Sequence, residues 1–370
     1  MRTRRMLLIA LGGVLVVAGF MFAKLAVPGL FRRMPAAVAA ETAPPPGRIR
    51  FAVLGDSDSQ SYHDTLMLAP DARGGPWRAT TWQWTEVLAR LRGNEVDLGD
   101  WGAWGSGKYR AYIEEAAGAS ARTPRKEDYR YDYAVSGAGC SQLMGRSQRQ
   151  ALRLVELMDT EPQAWRGGVV LIRIGINDVG AHDVLDALAR DPGAARPAAI
   201  IDACVKAIGD TVTLIRKTHP DTNVALTGIL SNADWSAEFD SWQSARQIAN
   251  IDAGLDRFDN GLRKIAAGDR HVAFLDDRAW FRSQWGERDA HGRPVYKTVK
   301  LAPGWAVTNT SGDDPHNAVL DDGHAGVVWN TLWAQHLVAS LDAAFGLRIS
   351  PITDAEVVRF LQPAFSGGPK

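Results

Sequence analysis

Four short stretches of the chain carry the residue types that acyl transfer needs. Gly55-Asp56-Ser57 supplies a hydroxyl, a weak nucleophile until a base removes its proton. Asp321-Asp322-Gly323-His324 supplies that base, because an imidazole titrates near neutrality. Asp321, three residues before His324, is preferred over Asp322 as the carboxylate that holds the other ring nitrogen and fixes the tautomer. Ala134-Val135-Ser136-Gly137-Ala138-Gly139 offers a glycine N–H at Gly137, and Gly175-Ile176-Asn177-Asp178 offers the Asn177 side-chain amide. Together with the Ser57 N–H they make a set of donors for an oxyanion. Each stretch has rivals. Ser59 and Ser61 compete with Ser57, but only Ser57 directly follows the end of an apolar run. His316, in Asp313-Asp314-Pro315-His316, competes with His324, but His324 precedes an amphipathic helix and His316 precedes more loop. Gly102, in Asp97-Leu98-Gly99-Asp100-Trp101-Gly102, competes with Gly137. Any of the glycines also has a plain reading as a turn that needs positive φ, and Asp56, Ser57, Asn177 and Asp178 as helix caps.

The elements around these stretches are those of an α/β protein. Ile49 to Leu54, Gly168 to Gly175, Asn223 to Leu230 and His271 to Asp276 are short apolar runs, as expected of strands buried on both faces. Helical periodicity lies between them: Trp84, Leu88 and Leu91; Leu143 to Met158; Ile200 to Ile215; and Ala334, Val338, Leu341 and Phe345. Such alternation predicts a parallel sheet with helices on both faces. Ser57 then lies at the carboxyl end of the first strand, where α/β proteins place their chemistry. A helix is expected to start there, with the hydroxyl at its positive N-terminus. Residues 231–262 and 278–322 read as long connections over the same edge.

The ordered set Ser57, Gly137, Asn177 and His324 resembles the four blocks of the SGNH/GDSL hydrolase family, from about Ile49 to Phe345. The resemblance implies one flavodoxin-like three-layer α/β/α sandwich with a central parallel sheet. It implies ester hydrolysis without a metal or organic cofactor, through a Ser57–His324–Asp321 triad and an oxyanion hole of Ser57, Gly137 and Asn177. Two departures stand out. The apolar residue usual after Gly-Asp-Ser is Asp58 here, and the proline usual after the histidine is Ala325.

Forty-two basic and 42 acidic residues cancel, so the basic excess of a nucleic-acid binder is missing. Cys140 and Cys204 fit no metal-ligand spacing; one bridge and two buried thiols both suit them. Arg2, Arg4 and Arg5 precede an apolar run from Met6 to Ala23, at the lower limit for a membrane span. The basic head predicts an N-terminus in the cytoplasm and an exported body. The expected layout is a membrane anchor or signal segment over 1–25, an Ala/Pro-rich linker over 26–47, a hydrolase domain over 48–347 and a loose tail over 348–370. Ala37-Val38-Ala39 resembles a cleavage site, so the body is expected to face the periplasm on an inner-membrane anchor, or to be released if the segment is cut. Among 13 tryptophans, most are expected to be packing anchors, with two or three left to line a cleft and stack on sugar. The expected substrate is a small-molecule or glycan ester, with glycan deacetylation as the favoured case. A silent acylated-glycan holder and an O-acyltransferase using the same site are the alternatives.

Overall fold

The computed structural model describes residues 47–367 apart from 117–119, 146 and 296. The expected anchor and most of the linker lie outside the described residues. No helix among the described residues is long and apolar enough to cross a membrane.

The four expected strands form, as β1 (Ile49–Gly55), β5 (Val169–Arg173), β6 (Asn223–Thr227) and β7 (Val272–Leu275). A fifth, β2 (Val96–Asp97), is two residues long and carries no readable pattern. All pair in parallel, in the spatial order β2-β1-β5-β6-β7. Counted within the sheet this is the flavodoxin-like order 2-1-3-4-5. Alternation along each strand divides the side chains between two cores. Ala52, Leu54, Val170, Ile172, Val224 and Leu226 face one layer of helices. Phe51, Val53, Val169, Leu171 and Ala225 face the other. Burial on both faces explains why these strands are nearly unbroken apolar runs.

The first layer contains α4 (Gln150–Met158), α6 (Ala195–Thr218) and α7 (Ala245–Ala266), preceded by the short α3 (Ser141–Met144) and α5 (His182–Arg190). The second contains α1 (Trp84–Arg92), α8 (Asp277–Trp285), α9 (Val327–Phe345) and α10 (Asp354–Ser366). A small ribbon of β3 (Trp101–Trp104) and β4 (Lys126–Tyr129) flanks α2 (Lys108–Ala116). A second sheet, β8 (Thr298–Ala302), β9 (Trp305–Ser311) and β10 (Asn317–Val319), leads into the His324 turn.

Three expectations change. Ser57 opens no helix. One turn, closed by Ser59 and Gln60 N–H donating to the Asp56 carbonyl at 3.1 Å, runs on into a loop and a short 3-10 helix, Gly75–Thr80, before α1. The polar side chains there bond to other elements instead: the Ser61 hydroxyl to Asp128 at 2.5 Å, and the Gln60 side-chain carbonyl accepts the Ser136 N–H at 2.6 Å. The 231–262 connection is largely α7, whose Ile248, Ile251, Leu255, Phe258 and Leu262 are buried between polar neighbours. The tail is not loose, because α10 buries Val357, Leu361 and Ala364 and is opened by a Thr353/Glu356 capping box.

Candidate active site

The sequence brings its four stretches to one edge of the sheet, and named bonds hold them there. Gly55 ends β1 where an added Cβ would sit 2.5 Å from the Arg173 carbonyl of β5, so only glycine lets the strands stay this close. The Gln150 side chain grips the same residue twice, accepting from the Gly55 N–H and donating to its carbonyl, both at 2.9 Å. Val135 N–H also reaches the Gly55 carbonyl at 3.1 Å, which docks the glycine-rich loop against the end of β1. Asn177 Nδ2 donates to the Ala138 carbonyl of that loop at 2.8 Å. The Tyr62 hydroxyl, kept protonated by burial, donates to the Ala325 carbonyl at 2.9 Å and so joins the serine loop to the histidine turn.

Ser57 is buried to 8% exposure on a turn pinned by three side-chain donors. Gln83 Nε2 reaches the Ser57 carbonyl at 3.2 Å. Trp84 Nε1 and Arg173 Nη1 reach the Asp58 carbonyl at 2.9 and 2.8 Å. Among the described residues no protein acceptor takes the backbone N–H of Ser57 or of Gly137. Gly137 is exposed, has φ +76°, and has open space where a Cβ would point. Asn177 has a second amide hydrogen beyond the one given to Ala138. Two unclaimed backbone donors beside a side-chain amide are what a tetrahedral oxyanion requires.

The carboxylate at His324 is Asp322, not Asp321. Asp322 Oδ1 lies 3.1 Å from His324 Nδ1 and 3.2 Å from the His324 N–H. Asp321 is exposed, and its N–H bonds the Asp313 carboxylate at 3.3 Å. A spacing of three suits a helix, whereas this segment is a tight turn. Gly323 has φ +81° and its N–H donates to the Leu320 carbonyl at 2.9 Å, so the residue two before the histidine folds back over the ring. Burial works against ionisation of Asp322, but the bonds and charges of His324 and Arg73 outweigh it and hold the carboxyl well below the usual range. Arg73 was not legible as a site residue. Its Nη1 lies against the Asp322 carboxylate and 2.8 Å from His324 Nδ1, and its Nη2 donates to the Ser136 hydroxyl at 3.2 Å.

The rivals fall elsewhere. The Ser61 hydroxyl is committed to Asp128, and Ser59 is fully buried. Gly102 lies in the β3–β4 ribbon opposite Asp128. His316 pairs with Asp314 at 2.6 Å and packs edge-on to Phe365.

Behind the serine, burial and the neighbouring Asp58 charge push Asp56 well above the usual carboxylate range. The Asp58 side chain faces a cleft of about 10 Å³ shared with Asp56, Arg173, Ile176, Ile229 and Asp277, room for about one water molecule. Arg173 and Asp277 form a buried ion pair at 3.1 Å, with Trp333 Nε1 donating to Asp277 at 2.6 Å. Cys140 and Cys204 form a disulfide, which consumes the two thiols that lie near Asp178. Cys140 directly follows the glycine loop, and its N–H donates to Asp178 at 2.7 Å, beside Asn177. Six tryptophans (84, 165, 242, 285, 329 and 333) are fully buried packing anchors. Trp101 is 42% exposed and, with His63, Trp82 and Tyr129, lines a groove of about 830 Å³.

The 2-1-3-4-5 sheet, with serine, glycine, asparagine and histidine loops meeting in that chain order at its carboxyl edge, decides the architecture. The fold is a flavodoxin-like three-layer α/β/α sandwich with a central parallel sheet, the architecture that the SGNH/GDSL resemblance implies. Among solved structures the chain is similar to an extracellular lipase from Streptomyces rimosus, at 17% identity, 71% coverage of this chain and 91% of that one, and a TM-score of 0.34. It is similar to a GDSL-like lipase from Parabacteroides merdae at 18%, 81%, 96% and 0.37. It is also similar to a family 3 carbohydrate esterase from Clostridium thermocellum at 12%, 81%, 98% and 0.35. No protein-family model and no curated protein matches the chain.

Proposed function

We propose that this SGNH-type chain is a serine ester hydrolase. In this reading His324 takes the Ser57 proton as Ser57 attacks the ester carbonyl. Asp322 steadies the imidazolium, and the Ser57 N–H, the Gly137 N–H and the Asn177 amide receive the oxyanion. Each such donor is worth about 3 kcal/mol in the transition state. The alcohol leaves with the proton from His324, and water repeats the cycle on the acyl-enzyme. The observation that carries the reading is the pair of unclaimed backbone N–H groups at Ser57 and Gly137, set beside Asn177 and within the same bonded cluster as His324.

The groove bearing exposed Trp101 supports a glycan as the alcohol side, since flat rings stack on sugar faces. The arginines and the apolar run at the N-terminus support export of the body, on a membrane anchor or after cleavage.

The test is a series of p-nitrophenyl esters of rising chain length, with acetylated polysaccharide alongside. Acetate release from the polysaccharide and a preference for the acetyl ester are expected, and Ser57→Ala should lose both while keeping its fold. Wild-type-like turnover by S57A would remove Ser57 as nucleophile. Product analysis with a sugar acceptor separates hydrolysis from acyl transfer.

A further inference from the structure

His324 Nδ1 faces opposed claims. The Asp322 carboxylate, at 3.1 Å, and the Asp322 carbonyl, at 3.2 Å, need an N–H there. The Arg73 guanidinium, closest at 2.8 Å, needs a lone pair there, because arginine has only donors. A neutral imidazole can meet one kind of claim at a time. With Arg73 as partner, the proton sits on Nε2 and the ring has no lone pair to take a proton from serine. With Asp322 as partner, Nδ1 carries the proton and Nε2 is a base. Arg73 also pairs with the other Asp322 oxygen, so its charge offsets part of the pull of the carboxylate that would select the working tautomer.

The backbone that delivers Arg73 is itself unusual. Arg73, Gly74 and Gly75 have φ of +60°, +104° and +45°, three left-handed residues in a row. A non-glycine residue held in that region costs of order 1 kcal/mol and persists only where its surroundings enforce it, which is common at switch segments. Here residues 65–72 are largely exposed, with Leu66 half exposed, while Arg73 is buried to 8% exposure and lies over the Tyr62 ring. The segment is an open strap with one side chain inserted into the site.

We infer that Arg73 is a latch on His324: it holds the ring in the tautomer that cannot accept the Ser57 proton, and its withdrawal hands Nδ1 to Asp322 and makes the site competent. This rests on the hydrolase reading for its consequence, but not for its geometry.

The test uses the full chain labelled with ¹⁵N-histidine. Long-range NMR correlations, with His324 assigned from a His324→Asn spectrum, report which ring nitrogen carries the proton above the imidazole titration. The wild type should show Nε2–H, and Arg73→Met should show Nδ1–H. The same variant should hydrolyse p-nitrophenyl acetate with kcat/KM raised about tenfold, the factor that corresponds to a charge-assisted hydrogen bond of about 1.4 kcal/mol. Nδ1–H in the wild type overturns the latch with no variant needed. So does a fall in kcat/KM in R73M, which would make Arg73 a support for Asp322. If neither protein hydrolyses any ester, the hydrolase reading fails, while the tautomer still decides whether the latch exists.

Discussion

Replacing Asp321 and Asp322 separately by alanine tests the site at the point where the turn overrules simple spacing. Asp322 contacts the His324 ring, and Asp321 presents only its backbone N–H to Asp313. Loss of an orienting aspartate lowers kcat by up to about 10⁴ in a serine triad. Asp322 is partly exposed, so water can replace some of its effect. The expected fall for D322A is therefore about 10² to 10⁴, or roughly 3–5 kcal/mol of transition-state stabilisation. For D321A the expected change is within about twofold. D322A also leaves the Arg73 guanidinium without its carboxylate, at a cost of about 1–3 kcal/mol in stability, so urea unfolding must accompany the rates. The pH sign follows from the lowered Asp322 value. A carboxyl more acidic in the folded chain stabilises it above the unfolded value of about 3.9, and that contribution is lost as pH falls further. D322A should flatten the acid side of the stability curve, modestly because the group is partly solvated. The assay is initial rates on p-nitrophenyl acetate for wild type and both variants. A hundredfold loss in D321A with D322A near wild type would refute the geometry.

Other outcomes follow from the supports of the serine turn. Asp277→Asn leaves Arg173 charged and buried, so urea unfolding should show a loss of about 3–5 kcal/mol, and Arg173→Met/Asp277→Asn should recover most of it; equal losses in single and double variants would contradict this. Reduction of Cys140–Cys204, which closes a separation of 64 residues, should cost about 4 kcal/mol on the chain-entropy account, read from unfolding with and without dithiothreitol. Gly55→Ala must displace the Arg173 carbonyl, so it should cost more than about 1 kcal/mol and lower kcat together with stability; a neutral result would show that β1 and β5 can part without harm.

The sheet was legible because burial on both faces leaves a strand little but apolar residues, as in Phe51 to Leu54. Strand β2 was not, since two residues carry no period. Helix α7 was hidden by the arginines, asparagines and aspartates between Ile248, Ile251, Leu255 and Phe258, although their spacing was present. The candidate site was legible as residue types in an order. It was not legible where long-range contact decides. Gln150 lies 95 positions from Gly55, and Arg73 lies 251 from His324. The choice between Asp321 and Asp322 depended on one left-handed glycine, and the absence of a helix after Ser57 depended on where Gln60 and Ser61 found partners.

The Cys140–Cys204 bridge ties the loop bearing Gly137, and through Asp178 the neighbourhood of Asn177, to the long helix Ala195–Thr218. Such bonds form in oxidising compartments and are kept open by cytosolic reductants. A newly made chain therefore lacks the fastening of its Gly137 loop until it meets an oxidant, which links the ordering of that loop to the chemical surroundings in which the chain finishes folding.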